Sequence, residues 1–233
     1  VIAVIREYLN KEDLNDDDLL NNCHKYMKCE DLNELRLKIM NRLNSDTNSK
    51  ENYYNAFKPI IHNIIGRNTA VQKRINLVVQ FPGNNEITPM HSDVEDGDSP
   101  FELTFWLPLT PVYGSKSMYC LDKNFGGSII NLCAEKDKDL KKVTEEVVKP
   151  EHFVKMNYGE ALLFNPLLLH GNIINETSET RWALNWRVKS IFSPYSFKNF
   201  GEYFEIYEMS PHTRLAMEYY KEKFNGSNGP NFN

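Results

Sequence analysis

The stretch RWALNWR, residues 181–187, alternates small or polar side chains with large apolar ones. A period of two residues is typical of a β-strand whose two faces meet different surroundings. The first face carries Arg181, Ala183, Asn185 and Arg187, and the second carries Trp182, Leu184 and Trp186. We expect the second face to pack in a core and the first, more polar face to line a cavity.

The same alternation recurs earlier in the chain, at 75–81 and 101–107. Further short runs rich in β-branched and aromatic residues begin near Met118, Ser128, Phe153 and Ala161. Pro, Gly and Asn residues separate these runs, and no helix recurs regularly between them. The pattern therefore predicts antiparallel sheets folded into a sandwich or barrel, and a mainly β fold with flanking helices.

Helical spacing dominates the first part of the chain, from Val1 to about Gly66. One predicted helix has an apolar face made of Tyr53, Phe57, Ile60, Ile61 and Ile64. Asn48 and Glu51 have the spacing of a capping pair at the start of this helix. We therefore expect a helical N-terminal region that packs on the β core.

Two further helical segments are predicted. The charged segment 136–146 is expected to form a helical excursion, and Pro211 is expected to open a terminal helix that ends near Gly226. The tail, 225–233, should be loose. The predicted parts of this one structural domain are a helical region (1–66), a β core (67–199) and a C-terminal helix with its tail (200–233).

Composition excludes several classes of protein. The 233 residues are 41% hydrophobic and 25% charged, and no apolar run approaches the ~18 residues of a membrane-spanning helix. Lys and Arg total 27 against 32 acidic residues, a net charge of −5, and no basic block is present. We therefore expect neither a membrane span nor a nucleic-acid partner. The first ten residues lack the pattern of a signal peptide and the four cysteines have no CxxC spacing, which predicts a cytoplasmic protein.

A His-x-Asp pair follows the turn residues at 82–85. His91 and Asp93 lie in a stretch expected to be extended, where residues two apart point to the same side. Both side chains can therefore face one metal ion. The pair alone is weak evidence, because this tripeptide pattern arises easily by chance.

A distant histidine strengthens the metal-site hypothesis. His170 follows the strand-like segment 159–164 and three leucines at 167–169, whose burial would turn its ring inward. Taken alone, His170 is more simply a structural histidine. Together with His91 and Asp93 it matches the facial triad of non-haem iron(II) oxygenases, in which two imidazoles and one carboxylate leave three coordination positions open.

An arginine lies eleven residues beyond His170. A guanidinium buried beside a metal needs an anion, and it binds a carboxylate through paired hydrogen bonds, as a dicarboxylate cosubstrate requires. We therefore predict Arg181 as the anchor of such a cosubstrate. Arg187 has the same strand parity and stays open as the alternative anchor. Otherwise, Arg187 is a candidate for binding a substrate carboxylate or phosphate, or for forming a structural salt bridge.

These residues, in this order and spacing, resemble the iron(II)- and 2-oxoglutarate-dependent dioxygenases, particularly their phytanoyl-CoA-hydroxylase-like branch. The likeness covers residues 72–193. Several segments within it look like a smaller oxygenase group associated with carbohydrate biosynthetic clusters and streptomycin-type pathways. These segments are 91–93, 97–102, 106–109, 117–119 and 181–187. The resemblance implies a double-stranded β-helix, a cupin-like jelly roll with the iron at its mouth.

The resemblance also implies cofactors and roles. His91, Asp93 and His170 would bind Fe(II), and Arg181 would hold the distal carboxylate of 2-oxoglutarate, with O₂ as the other cosubstrate. Four polar residues on predicted strands are further candidates for contacts with 2-oxoglutarate or substrate: Gln80, Thr104, Tyr119 and Asn185. The acidic residues Glu95, Asp96 and Asp98 are interpreted as a solvated turn rather than as a site for a cationic substrate.

The leading functional hypothesis is a dioxygenase that hydroxylates or otherwise oxidises a small polar metabolite, such as a sugar or a nucleotide-linked sugar. Two alternatives stay open. The same machinery could hydroxylate a protein or peptide side chain, which requires an open groove. A non-oxidative cupin-like protein could hold zinc or another divalent ion with the same ligands, although such a site gives no reason for a buried Arg181. The sequence leaves the oligomeric state open.

Overall fold

The computed structural model describes residues 1–136 and 140–224, which form a mixed helical and antiparallel β structure. Four helices come first: α1 (Ile2–Leu9), α2 (Asp16–Asn21), α3 (Leu32–Ser45) and α4 (Thr47–Ile64). The strands are β1 (Thr69–Gln72), β2 (Asn76–Gln80), β3 (Glu102–Pro108), β4 (Tyr119–Cys120), β5 (Leu162–Phe164), β6 (His170–Gly171), β7 (Arg181–Ser190) and β8 (Phe204–Glu208). The later helices are α5 (Lys123–Lys136), α6 (Leu140–Val147) and α7 (Pro211–Phe224).

A six-stranded antiparallel sheet is organised around β7. Strand β3 pairs along one edge of β7, and β5 pairs with β3. On the other edge, β2 pairs with the first half of β7 and β1 pairs with its last three residues, while β8 pairs with β1. This sheet confirms the antiparallel arrangement that the alternating segments predicted.

The apolar face of β7 packs against the N-terminal helices. Trp182, Leu184 and Trp186 belong to one buried cluster with residues from α1 to α4. The indole N–H of Trp182 donates to the Leu20 carbonyl at 2.9 Å, and that of Trp186 donates to the Gln72 carbonyl at 2.7 Å. Buried indoles need such acceptors. The predicted division of the two faces of this strand is confirmed, and its polar face is left for the site.

A smaller sheet carries the two histidines of interest. Strand β6 pairs with β4 on one side, and on the other side His170 and His91 exchange both backbone hydrogen bonds at 3.0 Å. Gly171 is tightly enclosed, because a Cβ at this position would lie 2.4 Å from the Tyr119 hydroxyl and 2.7 Å from the Thr88 carbonyl oxygen. The pairing therefore presents both imidazoles side by side.

Two predicted strands are wrong. The run near Ser128 lies in α5, because the Asp122 carboxylate accepts the backbone N–H groups of Asn124 and Phe125 at 2.9 and 3.1 Å and so starts a helix. The segment at Phe153 forms an isolated bridge instead of a regular strand. Local capping thus outweighs strand propensity in the first case.

Two details of α4 also differ from the prediction. Asp46 rather than Asn48 caps the helix, since its carboxylate accepts the Asn48 N–H at 3.1 Å. Ile60 and Ile64 are 42% and 60% exposed. The buried face instead includes Tyr54, which is fully buried together with its neighbours in the core.

The remaining helical predictions are confirmed where the structure describes the chain. Helices α5 and α6 occupy the described parts of the charged excursion, and α7 begins at Pro211. The predicted loose tail, 225–233, lies outside the described residues. In the described part of the chain, no helix is both long and apolar enough to cross a membrane.

Candidate metal centre

Three side chains with metal-ligating atoms converge where the two sheets meet. The Nε2 atoms of His91 and His170 each lie 3.6 Å from Oδ1 of Asp93, and the two ring centroids are 4.3 Å apart. Their potential ligand atoms all lie within 4.8 Å of one another. A separation of 3.6 Å is too long for a hydrogen bond. It suits atoms that share one ion, so the three residues predicted as ligands are brought together.

Backbone carbonyl groups hold both imidazoles in the same orientation. Nδ1 of His91 lies 2.8 Å from the Pro89 carbonyl oxygen, and Nδ1 of His170 lies 2.9 Å from that of Leu168. A carbonyl oxygen only accepts, so each Nδ1 carries the proton and each neutral ring keeps its lone pair on Nε2. Histidine ligands of metals are commonly fixed in this way.

The pKa shifts of Asp93 and His170 favour the forms of these groups that bind metals. Burial raises the pKa of Asp93, but His91, Arg187 and His170 outweigh it and hold that pKa well below its usual range. Burial lowers the pKa of His170. For His91, burial acts in the same direction, but the nearby Asp93 carboxylate and the Pro89 carbonyl outweigh it and raise its pKa. The carboxylate is therefore ionised and His170 is neutral near neutral pH.

Arg187 lies between two buried carboxylates. Its Nη2 lies 2.9 Å from Oδ2 of Asp93, and its Nε lies 3.2 Å from Oδ1 of Asp98. Asp98 is fully buried and also pairs with Lys198, which contradicts its interpretation as part of a solvated turn. The loop folds inward because the two cations hold this carboxylate. For Arg187 the structure shows the salt-bridge alternative.

Arg181 is in the opposite situation. It is 2% exposed, and its Nε and Nη1 atoms have no hydrogen-bond partner among the described residues. Burial lowers its pKa to about 10, so it stays charged at neutral pH. Burying an unpaired charge is costly, and proteins normally pair such groups. An anionic ligand would satisfy this guanidinium.

A cavity of about 110 Å³ joins the triad to Arg181. Asn185 and Trp106, which are neighbours on paired strands, also line it. The other predicted contact residues are buried outside its wall: Gln80, Thr104 and Tyr119. The amide of Gln80 is already used, since Nε2 donates to the Ile173 carbonyl at 2.7 Å.

Thr88 and Asn172 also lie in the cavity wall, and the sequence did not predict them there. Oδ1 of Asn172 accepts the backbone N–H of Thr88 at 2.5 Å, and the Thr88 carbonyl accepts the backbone N–H of Asn172 at 2.9 Å. These bonds join the segment before His91 to the segment after His170. The sequence feature that could have indicated Asn172 is the Gly171-Asn172 pair, because a small residue and an amide directly follow the candidate ligand His170.

Known proteins from Streptomyces are similar to the chain in sequence or in fold. No family model matches it. It is 22% identical over 144 residues to the streptomycin biosynthesis protein StrG of Streptomyces griseus, a match that covers 59% of this chain and 58% of StrG. HygX from Streptomyces hygroscopicus with iron bound has a TM-score of 0.51 at 10% identity and covers 71% of this chain and 80% of HygX. HygX with nickel and 2-oxoglutarate bound has a TM-score of 0.50 at 10% identity, over 64% and 68% of the two chains. At this identity, the likeness to HygX concerns the fold alone.

Proposed function

We propose that this chain is an iron(II)- and 2-oxoglutarate-dependent dioxygenase that oxidises a small polar metabolite. One observation carries the proposal: a buried guanidinium without an acidic partner among the described residues lines the same cavity as a His-Asp-His cluster. A metal site alone explains the cluster but not Arg181. A metal-chelating dicarboxylate explains both. The fold likeness to HygX, which binds iron and, in its nickel form, 2-oxoglutarate, supports this choice.

Each residue then has a distinct task. His91 and His170 would hold iron through Nε2, Asp93 would hold it through Oδ1, and Arg181 would bind the distal carboxylate of 2-oxoglutarate. When bound, the iron would activate O₂ for an oxidation coupled to conversion of 2-oxoglutarate into succinate and CO₂. The ring of Phe164 packs edge-on against His170, with centroids 4.9 Å apart, and helps to exclude water. The protein would therefore supply binding and orientation.

The proposal extends to fold and family. We infer that the two sheets form a cupin-like jelly roll and that the chain lies in the phytanoyl-CoA-hydroxylase-like branch. The histidine-bearing sheet and the sheet around β7 support the first inference, since both contribute to one cavity wall. The spacing of His91, Asp93, His170 and Arg181 supports the second.

We further propose a sugar-like substrate. The match to a streptomycin biosynthesis protein supports a polar metabolite of this kind. In the cavity, Trp106 offers an aromatic surface and Asn185 has a side-chain oxygen without a hydrogen-bond partner among the described residues. Aromatic rings commonly pack on sugar rings, whose hydroxyl groups bond to amides.

Turnover of 2-oxoglutarate without substrate tests the proposal. The purified protein with iron(II), ascorbate and 2-oxoglutarate should slowly form succinate, and Asp93→Ala should abolish this. Asp96→Ala is the matched control, because Asp96 is an exposed carboxylate in the same loop and should leave succinate formation unchanged. Stimulation of succinate formation by members of a sugar panel would then identify the substrate class.

Other outcomes separate the alternatives. A protein that binds iron but forms no succinate with any candidate substrate would favour the non-oxidative metal-binding protein. Stimulation by peptides but not by sugars would favour a peptide hydroxylase. Equal loss of activity in Asp93→Ala and Asp96→Ala would contradict the assignment of Asp93.

A further inference from the structure

We propose that Arg187 is a positioning residue that leaves Asp93 only one oxygen for the metal. This inference rests on the proposed metal site and adds a role that the ligand set does not contain. The two oxygens of Asp93 have different surroundings. Oδ1 lies 3.6 Å from Nε2 of both histidines, whereas Oδ2 lies 2.9 Å from Nη2 of Arg187.

The number of coordination positions explains why this division matters. A carboxylate can bind a cation through one oxygen or two. Two histidines and one carboxylate oxygen would fill half of a six-coordinate iron(II) site and leave the other half for the cosubstrates. Binding through both carboxylate oxygens would remove one of the positions left for the cosubstrates. The ion pair with Arg187 prevents this by engaging Oδ2.

Arg187 is itself fixed on a rigid element, whereas Asp93 is not. Arg187 lies on β7 and pairs in register with Thr104 of β3. Asp93 starts a turn, in which its carbonyl accepts the N–H groups of Asp96 and Asp98 at 3.0 and 3.1 Å. The strand therefore determines where the guanidinium lies, and the guanidinium determines how the side chain of the turn residue is oriented.

The contacts of Arg187 require a guanidinium. Nη2 pairs with Asp93, Nε pairs with Asp98, and Nη1 donates to the Tyr203 hydroxyl at 3.2 Å. Three nitrogens of one planar group thus lie within 3.2 Å of three partners, two as ion pairs and one as a hydrogen bond. An ammonium group is a compact point charge and cannot reproduce this arrangement. Arg187→Lys therefore keeps the charge but loses the geometry.

Cobalt(II) binding in the absence of 2-oxoglutarate tests the proposal. Arg187→Lys and Arg187→Gln should release Oδ2 of Asp93, so that Asp93 can bind Co²⁺ through both oxygens. The visible spectrum of the bound Co²⁺ should therefore shift from that of the wild-type protein, since it depends on the number and arrangement of the ligands. Lys116→Gln is the matched control: it removes a buried cation that pairs with the Glu179 carboxylate outside the cavity wall, and it should leave the Co²⁺ spectrum unchanged. Asp98→Asn should show a smaller effect in the same direction as the Arg187 variants.

The possible results are distinct. If Co²⁺ bound to folded Arg187→Lys has the wild-type spectrum, the positioning role is overturned. If Arg187→Gln does not fold, Arg187→Lys decides, because it keeps the buried charge. If Lys116→Gln changes the Co²⁺ spectrum as much as the Arg187 variants do, the effect is general and the proposal is also overturned. Failure of the wild-type protein to bind any divalent metal would instead refute the proposed function.

Discussion

Replacing Arg181 by Met should stabilise the ligand-free protein while destroying its tight binding of 2-oxoglutarate. The guanidinium is 2% exposed and two of its nitrogens have no hydrogen-bond partner among the described residues. Met has an unbranched, flexible side chain that fills irregular space without a charge. The substitution therefore removes an unfavourable contribution to the free energy of folding. It also removes the group proposed to bind the cosubstrate.

The size of the stabilisation follows from the pKa of Arg181. Burial lowers this pKa from 12.5 to about 10. That difference corresponds to about 3 kcal/mol of unfavourable folding free energy. Below the folded-state pKa both the folded and the unfolded chain carry the charge, so the full penalty acts at pH 7.5 and fades only as the pH rises past 10. Arg181→Met should raise the free energy of unfolding by up to about 3 kcal/mol.

The effect on ligand binding has the opposite sign. Losing a hydrogen-bonded charged partner costs about 1.5 to 3 kcal/mol, which raises the 2-oxoglutarate requirement at least about tenfold. Urea unfolding at pH 7.5 with bound Ni²⁺, with and without 2-oxoglutarate, measures both effects. At a ligand concentration 100 times Kd, the wild-type protein should gain about 2.7 kcal/mol and the variant much less.

The matched variant replaces the other buried arginine of β7 by Met. Arg187→Met removes the partner of two buried carboxylates and should destabilise the protein by about 3 to 5 kcal/mol. If Arg181→Met also destabilises the ligand-free protein, and 2-oxoglutarate still stabilises it as much as it does the wild type, then Arg181 is a structural residue and the reasoning is wrong.

Two further substitutions probe the surroundings of the site. Burial raises the pKa of Glu102 to about 7. The folded state therefore keeps a proton that the unfolded chain releases near pH 4.5. As the pH rises between these two values, this group lowers the free energy of unfolding. Glu102→Gln should therefore raise the free energy of unfolding, measured in urea, at pH 8 and leave it nearly unchanged at pH 4. Equal effects at both pH values would contradict the raised pKa of Glu102. Gly171→Ala should lower the melting temperature and weaken Co²⁺ binding, because its Cβ would lie 2.4 Å from the Tyr119 hydroxyl. Gly127→Ala, where no atom lies within 4 Å of the new Cβ, is the control, and a similar loss in both variants would show that the enclosure of Gly171 is unimportant.

The sequence predicts the faces of the strands well, because a period of two residues is a local property. Trp182 and Trp186 face the helical core, and Arg181 and Asn185 face the cavity, as the alternation requires. The helix at Ser128 is not evident from its apolar and β-branched residues alone, because the residue that caps it lies before them. Asp122 was the available signal, since an aspartate directly before a helical pattern commonly accepts the first backbone N–H groups.

Partners across the fold are harder to predict, since they depend on loops whose paths the sequence does not encode locally. Asp98 looked like part of an exposed acidic turn, yet it is fully buried between Arg187 and Lys198. Thr88 and Asn172 are 84 residues apart and meet only because β6 pairs beside His91. Such contacts follow from tertiary packing and not from periodicity.

Arg181 and Arg187 show where the local pattern stops and the tertiary structure decides. They are six residues apart on one face of β7 and similarly buried, so no rule of spacing distinguishes them. Burial lowers the pKa of Arg181, whereas for Arg187 the carboxylates of Asp93 and Asp98 outweigh burial and raise it. A buried arginine with two carboxylates stabilises the folded chain and orients a neighbour. Arg181 has no carboxylate partner among the described residues and so is retained at a cost to stability, and the proposed binding of an anionic cosubstrate would account for that cost.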